Sequence, residues 1–471
     1  MSTEGLRSDF AQLIRDLLDE SYREDKLPIS EPLREHLGGD VDDLAVHGES
    51  LENYDLPNLQ LALDAALARP GFSARIVGVS GQGRRFSDVA LTDLLTAATH
   101  LSVGPPEYVN VAVGPHETLP CLTWGVLLVT APEGPVCVFV RQGEEHGPTP
   151  GVVFQAVAHD PDLARRFLAD VRALMDEHDI FRNQVLTIES DRRGRNSVVF
   201  LERPAMDERE LVLPDGVLDR VERHVVGPSR HRESLLALGR HLGRGLLLWG
   251  PPGTGKTHTV RYLTSRLTNA TVIILSGPSL GLVGAFGNLA RRLAPAVVVL
   301  EDVDLVAQER NFGPFGASNP VLFQLMNEMS GLGADADVAF VLTTNRPDAL
   351  EPALAARPGR VDLAVEIPLP AEAERRRLLA LYGERLELEP ADLDDVVLRT
   401  GGMTASFFRE LLRKASLAAL EAGRDRVGRD DVVAALDELL ADTSALTRVL
   451  LGSEAPRSGE PHAWLRQQAL E

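Results

Sequence analysis

Apolar residues recur at helical spacing in Phe10, Leu13, Ile14, Leu17 and Leu18, which predicts an amphipathic helix over 8–20. A second helical stretch, Leu59–Ala68, stops at Pro70-Gly71. From there to about Pro214 shorter runs take over. Strands are predicted at Ala74–Val79, Tyr108–Val113, Leu122–Thr130, Val136–Val140, Val152–Val157, Gln184–Ile188 and Val198–Leu201. One helix lies among them, with Leu163, Phe167, Leu168, Val171, Leu174 and Met175 on a face. That mixture predicts an α+β domain with an antiparallel sheet. Further on, Leu246–Trp249, Val297–Leu300 and Val338–Thr343 are near-continuous apolar runs, the pattern of buried parallel strands. Beyond Pro370 the period is helical throughout, marked by Leu378, Leu379 and Tyr382, then Phe407, Phe408, Leu411, Leu412, Ala415 and Ala419, then Val432, Val433, Leu436 and Leu439. The predicted organisation is a helical segment over 1–70, an α+β domain over 71–215, an α/β domain over 216–370, a helical subdomain over 371–442 and a tail over 443–471.

Composition bounds the chemistry. The 471 residues are 44 % hydrophobic and 25 % charged, ordinary values for a globular chain of two to four domains. No apolar stretch is long enough to cross a bilayer, no basic-then-apolar leader opens the chain, and Cys121 and Cys137 are its only cysteines. An intracellular, cytoplasmic protein is expected, without a membrane segment, a disulfide framework or a four-cysteine zinc site. A net charge of −21 makes nucleic acid an unlikely partner, because phosphates repel an acidic surface. The acidity is uneven: residues 1–60 hold 15 acidic and 5 basic side chains, residues 216–370 hold 14 and 15. Such an acidic flank serves either solubility or a partner. Only three lysines, Lys26, Lys256 and Lys414, stand against 45 arginines, so each lysine is worth inspecting.

Several local patterns carry no chemistry. Gly78-Val79-Ser80-Gly81 approaches a nucleophile elbow but fails at Gln82. His116-Glu117 and His159-Asp160 lack a second histidine at the spacing a zinc protease needs. Asn269-Ala270-Thr271 matches a glycosylation sequon inside the central domain, a chance match in an intracellular chain.

Gly250-Pro251-Pro252-Gly253-Thr254-Gly255-Lys256-Thr257 fits the G-x-x-x-x-G-K-[ST] phosphate loop, followed by His258. It has the required context, a strand over Leu246–Trp249 before it and a helix over Thr257–Leu267 after it. Glycines let backbone N–H groups turn toward phosphates, and the helix N-terminus adds favourable potential. Lys256 is placed to contact the β- and γ-phosphates of ATP, and the Thr257 hydroxyl to bind Mg²⁺. About forty residues later Val297–Leu300 ends in Glu301-Asp302-Val303-Asp304. One carboxylate there would hold the metal's shell and another would orient or deprotonate the attacking water. A third strand, Val338–Thr343, ends in Thr344-Asn345-Arg346 and leads through Pro347 to Arg357-Pro358-Gly359-Arg360-Val361-Asp362.

With these segments in this order, the chain resembles the AAA+ ATPases, in the narrow AAA branch, over roughly Val221–Ala441. The resemblance implies a P-loop parallel sheet with a C-terminal helical lid, here preceded by the helical segment and the α+β domain. It implies ATP hydrolysis with Mg²⁺. Val226-Gly227 matches the turn flanking the adenine, and Asn345 the polar sensor that positions the attacking water. Arg357 and Arg360 match paired arginine fingers reaching a neighbouring subunit, which implies a homo-oligomer, a hexameric ring. Three departures stand out. Glu301-Asp302 inverts the usual acidic pair, as in the mitochondrial respiratory-complex assembly ATPases; along the strand, Glu301 is expected nearer the metal and Asp302 nearer the attacking water. Ala355-Ala356 adds a residue before Arg357. Leu282-Val283-Gly284 has leucine where the family's pore loop carries an aromatic, so Leu282 either grips a client weakly or packs inward. Ser406 stands where this branch carries alanine in place of a second arginine sensor, with Arg409 one turn on. The expected function is a chaperone-like motor that remodels an unidentified protein client, with a first region for recruitment. The alternatives are a slow-hydrolysing ATP-dependent assembly switch and, disfavoured by charge, a nucleic-acid motor.

Overall fold

Alternating side chains in two long central strands decide the architecture of the first part of the chain. A computed structural model describes residues 27–81, 89–96, 101–143, 151–190, 196–304, 328, 336–348, 361–386 and 393–441. The helix expected over 8–20 and the tail 443–471 lie outside the described residues. The chain divides into two compact units, with the main break between Ile180 and Phe181.

In the first unit the elements are α1 (Ser30–Leu37), β1 (His47–Leu51), α2 (Leu56–Leu67), β2 (Ser73–Ser80), α3 (Leu91–Leu95), β3 (Ser102–Gly104), β4 (Glu107–Ala112), β5 (Thr118–Ala131), β6 (Gly134–Gln142), β7 (Val152–Val157) and α4 (Pro161–Glu177). The described strands form one antiparallel sheet in the order β1-β7-β6-β5-β2-β3, with β4 also pairing β5. Val136, Val138 and Val140 of β6 join Leu127 and Val129 of β5 in one core with α2 and α4. Cys137 and Phe139 face the other way, with Val126 and Leu128, into a second core with α1 and α3. A period of two therefore serves two cores at once, because both faces of the sheet are covered. Helix α4 begins with Pro161 in its first turn, and the Asp160 carboxylate accepts from the Asp162 N–H at 2.9 Å.

The antiparallel sheet was expected, but its membership differs in two places. Within the described part of 1–70, His47–Leu51 is a strand paired with β7 in the register Leu51↔Val152. Its sequence, His-Gly-Glu-Ser-Leu, has little apolar signal, and its partner lies about a hundred residues away. The strands expected at 184–188 and 198–201 belong to the second sheet, not to the first.

The second unit contains β8 (Val185–Ser190), β9 (Asn196–Leu201), α5 (Val217–Val225), β10 (Arg244–Trp249), α6 (Lys256–Arg266), β11 (Thr271–Ser276), α7 (Val283–Arg292), β12 (Ala296–Glu301), β13 (Val338–Thr344) and β14 (Leu363–Glu366). The sheet order is β14-β10-β13-β12-β11-β8-β9, with parallel pairing from β14 through β8. Strands β10, β12 and β13 are buried almost end to end, which explains their uninterrupted aliphatic sequences. The C-terminal helices α8 (Glu372–Gly383), α9 (Asp394–Arg399), α10 (Ala405–Glu421) and α11 (Arg429–Ala441) share their own core around Phe407, Phe408, Leu411 and Leu436. The expected α/β sheet with a helical lid is present.

One buried ion pair braces the start of β10. Arg244 donates to Asp337 at 2.8 Å, with side chains 5 % and 1 % exposed, and also to the carbonyls of Val225 and Leu242. Ser229 adds a hydroxyl to the same carboxylate at 3.0 Å. Asp337→Ala would strand a buried guanidinium, so urea denaturation should show a loss of about 3–5 kcal/mol. A loss below about 1 kcal/mol, the scale of a surface pair, would show that the bridge does not brace the strand.

Candidate functional site

Strand order brings the candidate residues together. β13 lies between β10 and β12, in the registers Trp249↔Thr344 and Leu300↔Leu342. The loop after β10, the acidic tip of β12 and the tip of β13 therefore emerge side by side at the carboxyl edge of the parallel sheet, where such sheets bind ligands.

The loop Gly250–Thr257 runs from β10 into α6. Gly250 has φ 148°, and a Cβ there would stand 2.2 Å from the Ile367 carbonyl oxygen, so only glycine fits. Lys256, buried, donates its ammonium to the carbonyls of Gly250 and Pro251, both at 2.8 Å. Burial pushes its pKa down to about 8, against the opposing charges of Asp302 and Asp304.

At the tip of β12 the two carboxylates part. Glu301 takes a hydrogen bond from the Thr257 side chain. Burial raises its pKa, that bond opposes the rise, and the Asp302 charge adds to it. Its Oε1 is buried without a hydrogen-bond partner among the described residues. Asp302 instead lines the cavity. It has φ 52°, a left-handed conformation that costs a non-glycine residue about 1 kcal/mol or more. Its N–H donates to Thr343 Oγ1 at 3.0 Å and its carboxylate accepts from Asn345 Nδ2 at 3.3 Å. Asp304, buried, accepts from the Thr344 hydroxyl at 2.9 Å and the Asn345 N–H at 3.2 Å, fixing the β13 tip.

Lys256, Thr257, Asp302 and Asn345 share a cavity of about 320 Å³ with residues from three further segments, of which only Glu210, Leu211, Val212 and Ala405 carried no signal in the sequence. One wall is Glu210, Leu211 and Val212; another is Leu378 and Tyr382 of α8; a third is Ala405, Ser406 and Arg409 of α10. Pro252 through His258 complete it. Burial lowers the pKa of His258, and the charges of Arg261 and Arg409 lower it further, against Glu210. Val226 and Gly227, expected beside the base, do not line this cavity: Val226 packs with Val221 and Val225 in the core under the sheet. The aliphatic triplet Leu211-Val212-Leu213 before Pro214-Asp215-Gly216 was the available signal for the first wall, since Leu211 and Leu213 bury and Val212 turns partly outward.

The lid touches the loop directly. The Ser406 N–H donates to the Gly253 carbonyl at 3.2 Å. A Cβ on Gly253, whose φ is 75°, would stand 2.9 Å from Ser406 Oγ. Leu282 ends a 3₁₀ segment, Gly277–Leu282, and is half-buried at the start of α7. Gly287 lies inside α7, and a Cβ there would meet the Glu328 carboxylate at 2.6 Å. Its smallness serves close packing. Arg357 and Arg360 lie outside the described residues.

The donor set suits a divalent cation bound together with phosphates. Among the described residues no group of three or more His, Cys, Asp or Glu side chains could hold a metal alone. Thr257 and the orphaned carboxylate oxygen of Glu301 supply two hard oxygens, and Mg²⁺ characteristically takes one or two protein ligands plus substrate phosphates and water.

The stretch that carries this loop and the tips of β12 and β13 also matches a known family. Residues 246–369 match the family model described as "ATPase family associated with various cellular activities (AAA)". The chain is 30 % identical over 260 residues to the proteasome-activating nucleotidase of Thermococcus onnurineus, covering 53 % of this chain and 65 % of the relative. It is 31 % identical over 252 residues to that of Methanocaldococcus jannaschii, covering 51 % and 58 %. It is also 31 % identical over 283 residues to ATP-dependent zinc metalloprotease FtsH 2 of Symbiobacterium thermophilum, covering 57 % and 46 %. The chain thus spans between about half and two thirds of the relatives it matches.

Proposed function

Because the chain carries an ATPase domain of the AAA family, we propose that it hydrolyses ATP to ADP and phosphate and uses the cycle to remodel a protein partner. The observation that carries this reading is the meeting of Lys256, Asp302 and Asn345 in one cavity, with a lid residue bonded to the phosphate loop. The loop N–H groups and Lys256 bind the phosphates. Asp302, held by Asn345, accepts the proton of the attacking water. Leu211, Val212, Leu378 and Tyr382 offer an apolar slot for the base. Mg²⁺, held through Thr257 and Glu301, would neutralise charge on the phosphates.

Assembly completes the proposal. Arg357 and Arg360 act as fingers on a neighbouring subunit's nucleotide in a homo-oligomeric ring, a hexamer. Arg357→Ala and Arg360→Ala should keep nucleotide affinity and lose turnover, and mixing either with Lys256→Ala should restore part of it. Turnover by an isolated monomer as fast as by the assembly would refute the fingers. The first unit is proposed to recruit the client, and the cytoplasm is the proposed location. No helix among the described residues is long and apolar enough to cross a membrane. Slow turnover that leaves a nucleotide-dependent assembly would favour a switch over a motor.

The lowered pKa of Lys256 gives a pH dependence of known sign. Bound phosphates favour the ammonium, so free protein titrating at about 8 must take up a proton to bind nucleotide above that pH. ADP affinity should therefore fall as pH rises through about 8. Calorimetry that finds flat affinity across this range would show that Lys256 is already clear of the phosphates or already fully charged.

A further inference from the structure

A second cleft opens at the opposite end of β10. The nucleotide cavity lies beyond Trp249, whereas this cleft, of about 580 Å³, is lined by Arg244 at the strand's start. The two share no lining residue. Helix α5 supplies Arg220 and Arg223, three residues apart and therefore on one face. Pro228, Leu235, Leu242 and Leu363 form an aliphatic wall.

Charge sets this place apart. Residues 220–244 hold six arginines against two glutamates in a chain whose net charge is −21. Most other charged groups around the cleft are already engaged. Arg244 is spent on Asp337, and Asp362 accepts from the Gly245 N–H at 2.9 Å. His224 donates to the Gly245 carbonyl, and burial holds it toward the neutral form; His241 donates to the Gly243 carbonyl. Arg220 and Arg223 are exposed and form no ion pair among the described residues. Leu238, in the segment that supplies the aliphatic wall, is 72 % exposed.

We propose that this cleft docks an acidic polypeptide segment of a partner protein, with carboxylates on Arg220 and Arg223 and an apolar side chain against the aliphatic wall. Guanidinium forks match carboxylates in bidentate fashion, and aliphatic neighbours reward a side chain that a bare phosphate lacks. A long polyanion such as nucleic acid would meet the repulsion of the acidic remainder of the chain.

The test uses the full chain saturated with ADP and Mg²⁺, so that the nucleotide cavity is occupied. The probe is a fluorescein-labelled synthetic peptide alternating glutamate and leucine, followed by anisotropy. Saturable binding is expected, weakened by salt and by about tenfold or more in Arg220→Glu/Arg223→Glu. A glutamine-for-glutamate peptide and a glutamate-serine peptide should each bind more weakly. Arg223→Gln is the milder variant, and unchanged ADP affinity in both variants shows that the unit is folded. Absence of saturable binding, binding indifferent to both variants, or stronger binding of a single-stranded oligonucleotide would overturn the proposal.

Discussion

Replacing Asp302 by Asn is expected to leave ATP bound while slowing its hydrolysis by about 10²–10⁴-fold, the usual worth of a positioned general base. Asparagine keeps the size and the hydrogen bond to Asn345 but cannot accept a proton from water. The assignment to Asp302 over Glu301 rests on where the two side chains go. Glu301 turns to the Thr257 hydroxyl and is half-buried behind the loop. Asp302 leaves the strand in a left-handed conformation and lines the cavity beside Asn345. Glu301→Gln should instead raise the Mg²⁺ concentration needed for turnover. Single-turnover phosphate release with retained nucleotide measured in parallel separates these outcomes. A Glu301→Gln protein that traps ATP, beside an Asp302→Asn protein that hydrolyses normally, would exchange the two roles.

Lys256→Ala is expected to weaken ADP and ATP binding by about a hundredfold or more, since charge-assisted hydrogen bonds are worth about 1.5–3 kcal/mol each. The loss should not come from unfolding. Burial already disfavours the ammonium, so removing it relieves a cost in the nucleotide-free protein. Calorimetry with ADP, beside a thermal melt, distinguishes a lost ligand site from a lost fold. Undiminished affinity would sink the site.

Much of the second unit was legible because its signals are local. A buried parallel strand announces itself as an aliphatic run, and a phosphate loop as glycines at fixed spacing before a lysine. Lys256, Thr257, Asp302 and Asn345 come together because three such strands end at one edge. The unread part is non-local. Strand His47–Leu51 has no apolar run of its own and exists through pairing with β7. Strands β8 and β9 look like the short strands before them, and only the pairing of β8 with β11, and of β9 with β8, assigns them to the second sheet. The remaining cavity walls come from residues 210–212 and from the lid, segments far apart in sequence that only the folded chain brings together. Val226-Gly227, which the resemblance places beside the adenine, is not among the residues lining this cavity, and the Val226 side chain packs in the core.

The central claim is that this cavity turns over ATP and that a neighbouring chain completes it. Steady-state phosphate release from Mg·ATP, measured against protein concentration, tests it most directly. The account predicts specific activity that rises with concentration as chains assemble, and that vanishes when every chain carries Lys256→Ala. Activity per chain that is constant down to the monomer would contradict the completed site, and no release above background at any concentration would contradict the hydrolysis itself.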